Sequence, residues 1–480
     1  MHRLKLITLT LLAALGGAAG AQPITLQQAI ATALEHNPDL RLSQLGVEGA
    51  AAQQTIAGAA PNPTLTLQSF NINANAGVGA GGLRSKTVDS AVRVDQLIER
   101  GGKRELRVEN AAKLAAASGS DLRETRRQVR LLVSQAYYDL LAADGKLAIT
   151  RESAQLFDRT VEAARKRQHA GDLAPADVAR AQVDALRARN DVLQAESDLF
   201  VARQTLALLI GEPANAAQLT ALDAWPDVPA AVTDNVASDA VNASAVNTNA
   251  SSIGAADVAN GAYAGSSGAT ASGVNVGRAT AGILNDGDAD GMLSRRPDVL
   301  AAQARFDAAQ AARKLALAAR SADITVGLQF EHYPTSITNT QGSGNSFGIA
   351  LQIPLFLRYG YDGEIRAADV ALDTARENMH QARVQARSEL ELSEERVRSA
   401  ADKLRRYEGN SNGSGADSII GAAKKSADAA EFAFQRGALA IMDLLDVRRT
   451  YRAAQLEALA ARADYAKSLA ALQAATSEGK

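Results

Sequence analysis

The side chains that most often carry catalysis or bind metals are sparse in this sequence. It has no cysteine, which excludes disulfides, thiolate metal sites and thiol nucleophiles. The run Gly102-Lys103-Arg104 lacks both the spacing and the Ser or Thr of a phosphate-binding loop. With no nucleophile and base in a recognisable pattern, we expect no enzyme activity and no cofactor. We also expect no dedicated metal site, because the five histidines are scattered along the chain: His2, His36, His169, His332 and His380.

Carboxylates after two glycine-containing turns are the best candidates for a functional site. Asp177 follows Gly171, and Asp443 follows Gly437 at the corresponding place. Each of these aspartates would lie in the first turn of a helix, where a negative charge is stabilised by roughly 0.3–1 kcal/mol. Asp446 lies deeper in the helix, so a capping role does not explain it. Capping and function both remain open as roles for Asp177 and Asp443.

The overall composition favours long helices and argues against nucleic-acid binding. Lys plus Arg number 51 against 53 for Asp plus Glu, so there is no basic excess to attract nucleic acid. Aromatic residues make up 4% of the chain, and it has 11 prolines in 480 residues. Such a sequence, which is also rich in alanine, is typical of closely packed helices rather than of a thick globular core.

Residues 1–21 are predicted to be a secretory signal peptide. Arg3 and Lys5 precede a short apolar run, and Ala19-x-Ala21 forms a small-residue cleavage site before Gln22. The apolar run is too short to cross a hydrocarbon core of about 30 Å as a helix. No later segment has about 18 consecutive apolar residues, so the chain could enter a membrane only with strands.

Two pairs of matching motifs indicate a tandem duplication. Asn37-Pro38-Asp39-Leu40 is echoed by Arg296-Pro297-Asp298-Val299, and the stretch 171–177 is echoed by 437–443. Repeats of this length are each expected to fold into one structural unit. We therefore expect the same succession of elements in both halves: a helix, two strands and a long helical hairpin.

The boundaries of these predicted regions follow from composition and periodicity. The first repeat is expected at 22–229, with its helical hairpin at 103–211, and the second at 292–480, with its hairpin at 363–475. Residues 230–291 are a low-complexity linker without the large apolar side chains of a core. Breaks in the ascending helices are expected near Asp144-Gly145 and at 409–413.

Apolar residues at alternating spacings of three and four follow the returning helix of each hairpin. The first series runs from Val178 to Leu209 and the second from Leu444 to Ala475. Such spacing buries a seam between left-handed supercoiled helices. A second stripe on the first of these helices comprises Leu186, Leu193 and Phe200. Two stripes would let a helix pack on both flanks, as a stave of a tube must.

Four segments of about ten residues alternate apolar and polar side chains, as tilted membrane strands do. Two are predicted at about 64–98 and two at about 323–357, the last with one apolar face from Phe347 to Leu355. Four strands cannot close a barrel and open edges are not viable in lipid, so such strands must be shared among chains. The residues alone do not fix the number of chains, and a soluble sandwich is the alternative. Aromatic side chains at girdle positions gather in or beside these strands: Phe70, Phe330, Tyr333, Phe347, Phe356, Tyr359 and Tyr361.

The order of these motifs resembles the TolC-like family of outer-membrane efflux proteins. The opening Leu26-x-x-Ala29-Ile30-x-x-Ala33-Leu34-x-x-Asn37-Pro38-Asp39-Leu40, the run Arg295–Val299 and the two tips look like that family's signatures. Gln96 followed by Gly102-Lys103-Arg104 resembles the CzcC-like branch, which serves pumps for cobalt, zinc, cadmium or related cations. The resemblance implies a mainly helical chain with four membrane strands per protomer. Three protomers would form a twelve-stranded β-barrel in the outer membrane of a Gram-negative bacterium, on a long helical coiled-coil barrel in the periplasm.

The resemblance also implies function and partners. The chain would be the passive exit duct of a tripartite efflux system, for heavy-metal cations or small toxic compounds. It would form a homotrimer in outer-membrane lipid and dock with a periplasmic adaptor (membrane fusion) protein and an inner-membrane pump of the RND type. The channel of a type I protein secretion system is the alternative with the same fold, and a soluble periplasmic scaffold is the alternative with a different one.

Residues of the tips receive roles from the same resemblance. Asp443 and Asp446 match aspartates that line the narrow periplasmic entrance of the family, and Asp177 is their counterpart in the first half. In a trimer these carboxylates would form stacked acidic rings that favour cations. Phe434 stands where the family's best-known member has a Tyr that locks the entrance, and Arg436 is close enough in sequence to supply a replacement link.

Contacts with an adaptor are expected at the turns between the helices. Gly171 and Leu173 belong to the first tip, and Gly437 and Leu439 to the second. Leu439 occupies the place of an Arg that completes the lock in the best-known relative, so that lock is not expected here. Glycine would also serve a tight turn between helices, whether or not an adaptor binds there.

Overall fold

The computed structural model describes residues 22–70, 72, 88–228, 286–333, 344–409 and 418–477. The predicted signal peptide and most of the predicted linker lie outside these residues. The described chain is mainly helical with a small sheet part. It divides into two compact units, which we call the sheet unit (Arg41–Thr125 and Asp290–Arg387) and the hairpin unit (Met1–Leu40, Arg126–Ala289 and Ser388–Ser477).

The elements are numbered here in chain order. Helices α1 to α9 span Leu26–His36, Pro38–Gly58, Lys103–His169, Pro175–Leu209, Asp286–Leu293, Pro297–Ala318, Asp362–Glu408, Ile419–Gln435 and Ile441–Thr476. Strands β1 to β6 span Gln22–Ile24, Thr64–Phe70, Asp89–Ile98, Leu219–Ala221, Ile324–Tyr333 and Gly344–Gln352. A short 3₁₀ helix at Pro213–Gln218 connects α4 to β4.

The two Pro-Asp motifs each begin a helix. Asn37 ends α1 and starts α2, since its Oδ1 accepts hydrogen bonds from the N–H groups of Asp39 (2.9 Å) and Leu40 (3.4 Å). Its Nδ2 donates to the Leu209 carbonyl at 2.9 Å and so ties this junction to the end of α4. Pro follows at the first helical position, where its missing N–H costs nothing. The single helix expected before the first strand is therefore two helices.

Helix α3 is unbroken, which corrects the predicted break near Asp144-Gly145. A glycine inside a helix costs about 1 kcal/mol relative to alanine. Here it permits a close approach, because a Cβ on Gly145 would lie 3.0 Å from Leu459 Cδ1 in α9. Packing of the two helices therefore outweighs the intrinsic preference. The second expected break is present, since α7 ends at Glu408 and α8 begins at Ile419.

The sheet unit contains an antiparallel sheet in the order β2-β3-β5-β6. The central pair joins strands from the two halves of the chain, with Ser90 opposite His332 and Ile98 opposite Ile324. Among the described residues, β2 and β6 are each paired along one edge only. The sheet therefore ends in open edges on both sides within the described part of one chain.

One face of this sheet is apolar and exposed. Two rows of register partners cross it, Leu65–Val94–Leu328–Ile349 and Leu67–Val92–Phe330–Phe347. Ile349 is 82% exposed and Leu67 is 69% exposed. The opposite face is polar and includes the ion pair of Arg93 with Asp95 at 2.8 Å. The predicted alternation of the four strands is thus present in the sheet.

Strand and linker boundaries differ from those expected. β6 ends at Gln352 rather than near Leu355, because Pro354 has no N–H for a ladder. β6 begins at Gly344. Helix α5 begins at Asp286, inside the stretch predicted as linker. Residues 73–87, between β2 and β3, and linker residues 230–285 lie outside the described residues.

The hairpin unit is built on the predicted seams. Every member of the series from Val178 to Leu209 is buried or partly buried, and so is every member from Leu444 to Ala475. Helices α3, α4, α8 and α9 meet in one buried cluster that includes Phe157, Val178 and Phe434. The second stripe of α4 remains open, with Leu186, Leu193 and Phe200 each more than half exposed.

A short parallel pair of strands, β1 with β4, also belongs to the hairpin unit. Tyr137 of α3 fastens it: the hydroxyl donates to the Ile24 carbonyl at 3.1 Å and accepts from the N–H groups of Leu222 (3.1 Å) and Asp223 (3.0 Å). Burial raises the pKa of Tyr137 to about 12. Three-residue strands carry no periodicity, so the sequence did not predict this pair.

Candidate functional site

Both helical tips end in the same glycine-dependent turn. Gly171 and Gly437 have φ values of 86° and 77°, which favour glycine. At the first tip the Asp172 N–H bonds to the Arg167 carbonyl (2.9 Å), and at the second the Ala438 N–H bonds to the Ala433 carbonyl (2.9 Å). This six-to-one bond, with the glycine N–H bonded three residues back, is a Schellman cap. The predicted tight turns are therefore present at both positions.

The aspartates that follow the tips lie in the first helical turns, as expected. Asp177 is the third residue of α4 and Asp443 the third of α9. The residues before these helices, Ala174 and Ala440, make no side-chain cap. Each aspartate therefore supplies the negative charge that its helix start lacks. Asp177 is also partly paired, with Arg180 at 3.9 Å.

Asp443 and Asp446 differ from Asp177 in their surroundings. Both are exposed, and they are one turn apart on one face of α9. Within the described part of the chain, neither forms an ion pair. The structure thus leaves two adjacent carboxylates free at the second tip, whereas Asp177 at the first tip is partly covered.

Arginines lie beside the second tip on aromatic rings. Arg436 is exposed and its guanidinium lies 4.4 Å from the Phe432 ring centre. Arg167, from the first hairpin, lies 4.7 Å from the ring of Phe434. A Cβ on Gly437 would lie 3.3 Å from Nη2 of Arg167, so the two tips approach closely at this glycine. Arg436 makes no contact of its own with an acidic group in the described residues.

The two tip leucines are only partly available to a partner. Leu173 and Leu439 are half-buried and pack against the hydrophobic cluster of the hairpin unit. Gly171 and Gly437 are exposed. Their backbone, together with the outer edges of the leucines, is what the tips present to solvent.

Ion pairs beyond the tips were not predicted. Arg449 of α9 pairs with Asp184 of α4, which is buried, and Arg452 pairs with Asp191 at 2.7 Å. These links join the returning helices of the two hairpins. The heptad spacing of Asp184 and Asp191 was a visible signal for them.

A third arginine reaches two other helices. Arg448 pairs with Glu431 at 3.0 Å and donates to the Leu156 carbonyl at 2.9 Å. It thereby connects α9 to α8 and to α3. Arg448 and the two arginines that pair with α4 thus connect the helices next to the tips through ion pairs.

The run that resembles the CzcC-like branch holds the exit of β3. Lys103 Nζ lies 2.9 Å from Asp323 and 2.7 Å from the Ser321 carbonyl, so it joins the start of α3 to the start of β5. Arg104 donates to the Gly58 carbonyl at 2.6 Å, and Gln96 to the Pro61 carbonyl at 3.0 Å. The run therefore has a structural role in the sheet unit.

Metal clusters and spanning helices were sought among the described residues. No group of three or more His, Asp or Glu side chains there is placed to hold a metal ion. Nor is any helix in this part of the chain both long and apolar enough to cross a membrane.

The order of these elements matches a known family over most of the chain. The model of the family described as "Outer membrane efflux protein" matches residues 29–212 and 289–478. The chain belongs to the outer membrane efflux protein family. Both matched ranges contain one strand pair of the sheet and one of the two hairpin tips.

Individual proteins are similar to this chain in sequence or in fold. The cobalt-zinc-cadmium resistance protein CzcC of Cupriavidus metallidurans is 26% identical over 212 residues, or 44% of this chain and 48% of that protein. The match thus spans about half the length of that relative. The outer membrane protein VceC of Vibrio cholerae is 17% identical, with a TM-score of 0.67 and coverage of 94% of this chain and 96% of VceC. CusC is 18% identical, with a TM-score of 0.66 and coverage of 96% and 95%.

Proposed function

We propose that this chain is the outer-membrane exit duct of a tripartite efflux system. It passes substrates passively from an inner-membrane pump and a periplasmic adaptor to the exterior. The observation that carries the proposal is the exposed apolar face of the sheet, with a polar face behind it. A soluble sandwich would cover such a face with a second layer, whereas a membrane strand turns it to lipid.

Assembly with other copies follows from the open edges of the sheet, and the family suggests that the copies number three. Unpaired strand edges are not viable in a hydrocarbon core, so β2 and β6 pair with strands of other copies. Three chains with four strands each supply the twelve strands expected of the family. The two halves of the chain arise by tandem duplication, which places two strands and one hairpin in each half. The exposed stripe of α4 provides an apolar contact for a neighbouring copy.

Heavy-metal cations are the proposed substrates. The sequence likeness to CzcC, whose name is that of a cobalt-zinc-cadmium resistance protein, supports this class. The exposed carboxylates of Asp443 and Asp446 support it as well. In a trimer they stack as two acidic rings at the periplasmic entrance, where they favour cations over anions. A conduit does not need to bind its cargo tightly.

Roles at the tips follow from their exposure. Asp177, half-buried and near Arg180, acts mainly as a helix cap. Arg436 is free to form a closing contact in the assembled duct. The exposed backbone at Gly171 and Gly437, with Leu173 and Leu439 at the edges, is the docking surface for the adaptor.

Conductance in a planar bilayer tests the duct and its entrance together. The wild-type protein is compared with Asp443→Ala/Asp446→Ala, and with Glu48→Ala/Glu377→Ala, which removes two exposed carboxylates of the sheet unit. We expect cation-selective channels that lose selectivity only in the first variant. If the first variant forms channels with unchanged selectivity, the duct is supported. Asp443 and Asp446 would then act only as structural charges.

If the wild-type protein forms no channels, a further variant is needed to distinguish a closed duct from a protein that is not a duct. Arg449→Ala/Arg452→Ala removes the ion pairs that join α9 to α4 next to the tips, and it is expected to widen a closed entrance. Intact trimers that conduct in neither form would contradict the duct.

A further inference from the structure

The connection between β6 and α7 is an exposed apolar segment with an ordered structure. We call residues 353–364 the hook. Leu357 is 86% exposed and Leu355 is 75% exposed. These leucines follow the apolar residues Phe347, Ile349 and Leu351 of β6 along the chain. A water-exposed turn would not present such side chains.

Specific contacts hold the hook in one conformation. The Phe356 and Tyr361 rings meet edge to face at 5.3 Å. Tyr359 donates to the Glu364 carboxylate and accepts from the Gly363 N–H at 3.1 Å. Arg320, in the turn after α6, donates to the Gly360 carbonyl at 3.0 Å. Together these contacts fix the segment between the sheet and α7.

Tyr361 adopts a backbone conformation that side chains rarely take. Its φ is 62°, and it is the one non-glycine residue with positive φ in the described chain. Such a conformation is strained for a residue with a Cβ and persists only where its surroundings impose it. The turn at Tyr361 directs the chain into α7, whose first hydrogen bond runs from the Ile365 N–H to the Tyr361 carbonyl (3.0 Å).

The hook forms an open surface depression with one positive and one negative group at its wall. The depression measures about 520 Å³ and is lined by the exposed leucines, three aromatic residues, Arg358 and Glu364. Ligand pockets typically range over about 300–1,000 Å³. Arg358 is exposed and forms no ion pair within the described residues, and Glu364 accepts only the Tyr359 hydroxyl there. One cation and one anion are thus left without a countercharge beside an apolar surface.

We propose that the hook binds the headgroup of an aminophospholipid at the membrane–water boundary. The Arg358 guanidinium pairs with the lipid phosphate, and the Glu364 carboxylate accepts hydrogen bonds from the primary ammonium group. Leu355 and Leu357 lie along the first methylene groups of the acyl chains, and the tyrosines take the interfacial position that aromatic residues prefer. This inference rests on the proposed function, because the sheet must face lipid for the hook to meet a headgroup.

Charge complementarity favours this lipid class over others. A glycerol headgroup offers the phosphate without a cation for Glu364. A choline headgroup offers a cation without an N–H donor. The ethanolamine headgroup alone among these three supplies both a phosphate and three N–H donors.

Native mass spectrometry of the full-length protein tests the site. The protein is reconstituted in nanodiscs with equal amounts of phosphatidylethanolamine, phosphatidylglycerol and phosphatidylcholine, and the lipids that remain bound after extraction are identified. The wild type is expected to retain phosphatidylethanolamine several-fold more than the other two. Arg358→Gln is expected to lower that retention about tenfold, the effect of losing one charge-assisted contact. Glu364→Gln is expected to abolish the preference over phosphatidylglycerol.

Arg366→Gln is the matched control, because Arg366 is an exposed arginine near the start of α7, eight residues after Arg358. It should behave as the wild type. Equal retention of the three lipids by the wild type, or an equal loss in both arginine variants, would overturn the site. If Arg358→Gln fails to assemble, Arg358→Lys keeps the charge and should keep the preference. Normal conductance without a lipid preference would contradict the lipid site but not the duct. A lipid preference without conductance would contradict the duct but not the lipid site.

Discussion

Glu99 and Arg107 form a two-pronged ion pair at the exit of β3. The hydrogen bonds from Arg107 hold the pKa of Glu99 below its usual value. Next to this pair, Asp323 accepts from the Arg100 N–H and from Lys103 at 2.9 Å each. These side chains connect the start of α3 to the strands from both halves of the chain, so their charge state affects the stability of the sheet unit.

Replacing Glu99 with Gln is expected to lower the free energy of unfolding by about 1 kcal/mol at neutral pH, allowing for solvent screening. In the unfolded chain Glu99 has a pKa of about 4.3, and in the folded protein its pKa is lower. As the pH falls, the unfolded state therefore takes up the proton first. The stabilisation is therefore complete above about pH 5 and is lost as the pH falls through the folded pKa. Denaturant titrations from pH 7 to pH 3 should show the gap between wild type and Glu99→Gln closing.

Glu48→Gln is the control for this measurement. Glu48 is exposed on α2 and forms no ion pair in the described chain. It should stay close to the wild type at every pH. A gap between wild type and Glu99→Gln that is constant with pH would contradict the role of the carboxylate charge.

At the residue scale, the sequence predicted positions better than contacts. Glycine followed by aspartate correctly placed Asp177 and Asp443 in first helical turns, because turn chemistry and helix electrostatics are local. The pairing of Arg449 with Asp184 depends on how α9 is rotated against α4. Packing of the whole hairpin unit fixes that rotation, so no local pattern specifies it. The roles of the carboxylates and of Arg436 stay predictions.

Helix α4 presents two apolar stripes, of which only one is covered within the chain. Leu193 is in the centre of the exposed stripe and is 64% exposed. Leu193→Glu is expected to weaken assembly of the three copies about tenfold or more, because a carboxylate would be buried there without a partner. The helical content of the protomer should not change. Light scattering of the detergent-extracted protein measures the first effect and circular dichroism the second.

Thr205→Glu adds the same charge at an exposed polar position on another face of α4. It should leave the trimer intact. If Leu193→Glu assembles as the wild type does, the exposed stripe is not a contact between copies.

At the element scale, periodicity predicted the long helices closely. The apolar series predicted from Val178 to Leu209 lies within α4, at Pro175–Leu209. The prediction of a break in α3 was wrong because Gly145 faces Leu459. Such a packing partner cannot be read from the sequence of one helix. Pro354 was the visible signal that β6 stops early. The apolar pattern continues beyond it for a different reason, since those residues belong to the hook.

The orientation of the sheet in a bilayer can be tested with two adjacent residues of β2. Leu67 lies on the apolar face and Gln68 on the polar face, opposite Ala91. An arginine on a lipid-facing strand costs about 2–4 kcal/mol near the bilayer midplane. Leu67→Arg is therefore expected to reduce insertion of the protein into vesicles strongly, whereas Gln68→Arg should insert as the wild type does.

Both variants add the same side chain to the same strand, so β-propensity and net charge are matched. Protection from protease after reconstitution measures insertion. Equal insertion of the two variants would contradict a lipid-facing sheet.

At the scale of the whole molecule, the motifs predicted the family correctly, because their order along the chain is specific even though each is short. The mainly helical fold with a small sheet part was also predicted. The number of copies and the closure of the sheet were not determined by the residues, since both depend on contacts that a single chain does not contain. They stay predictions.

The pairing of β3 with β5 has a consequence for how the chain folds. Ile98 and Ile324 are register partners, although α3 and α4 lie between them in the sequence. During synthesis the hairpin of β2 and β3 must therefore wait, with an apolar face and an open edge, until about two hundred further residues have emerged. Contacts between such distant segments form slowly, and the waiting intermediate is prone to aggregate. Chaperones that shield strand edges should accordingly bind nascent chains that end before Ile324 more strongly than chains that extend beyond Gln352.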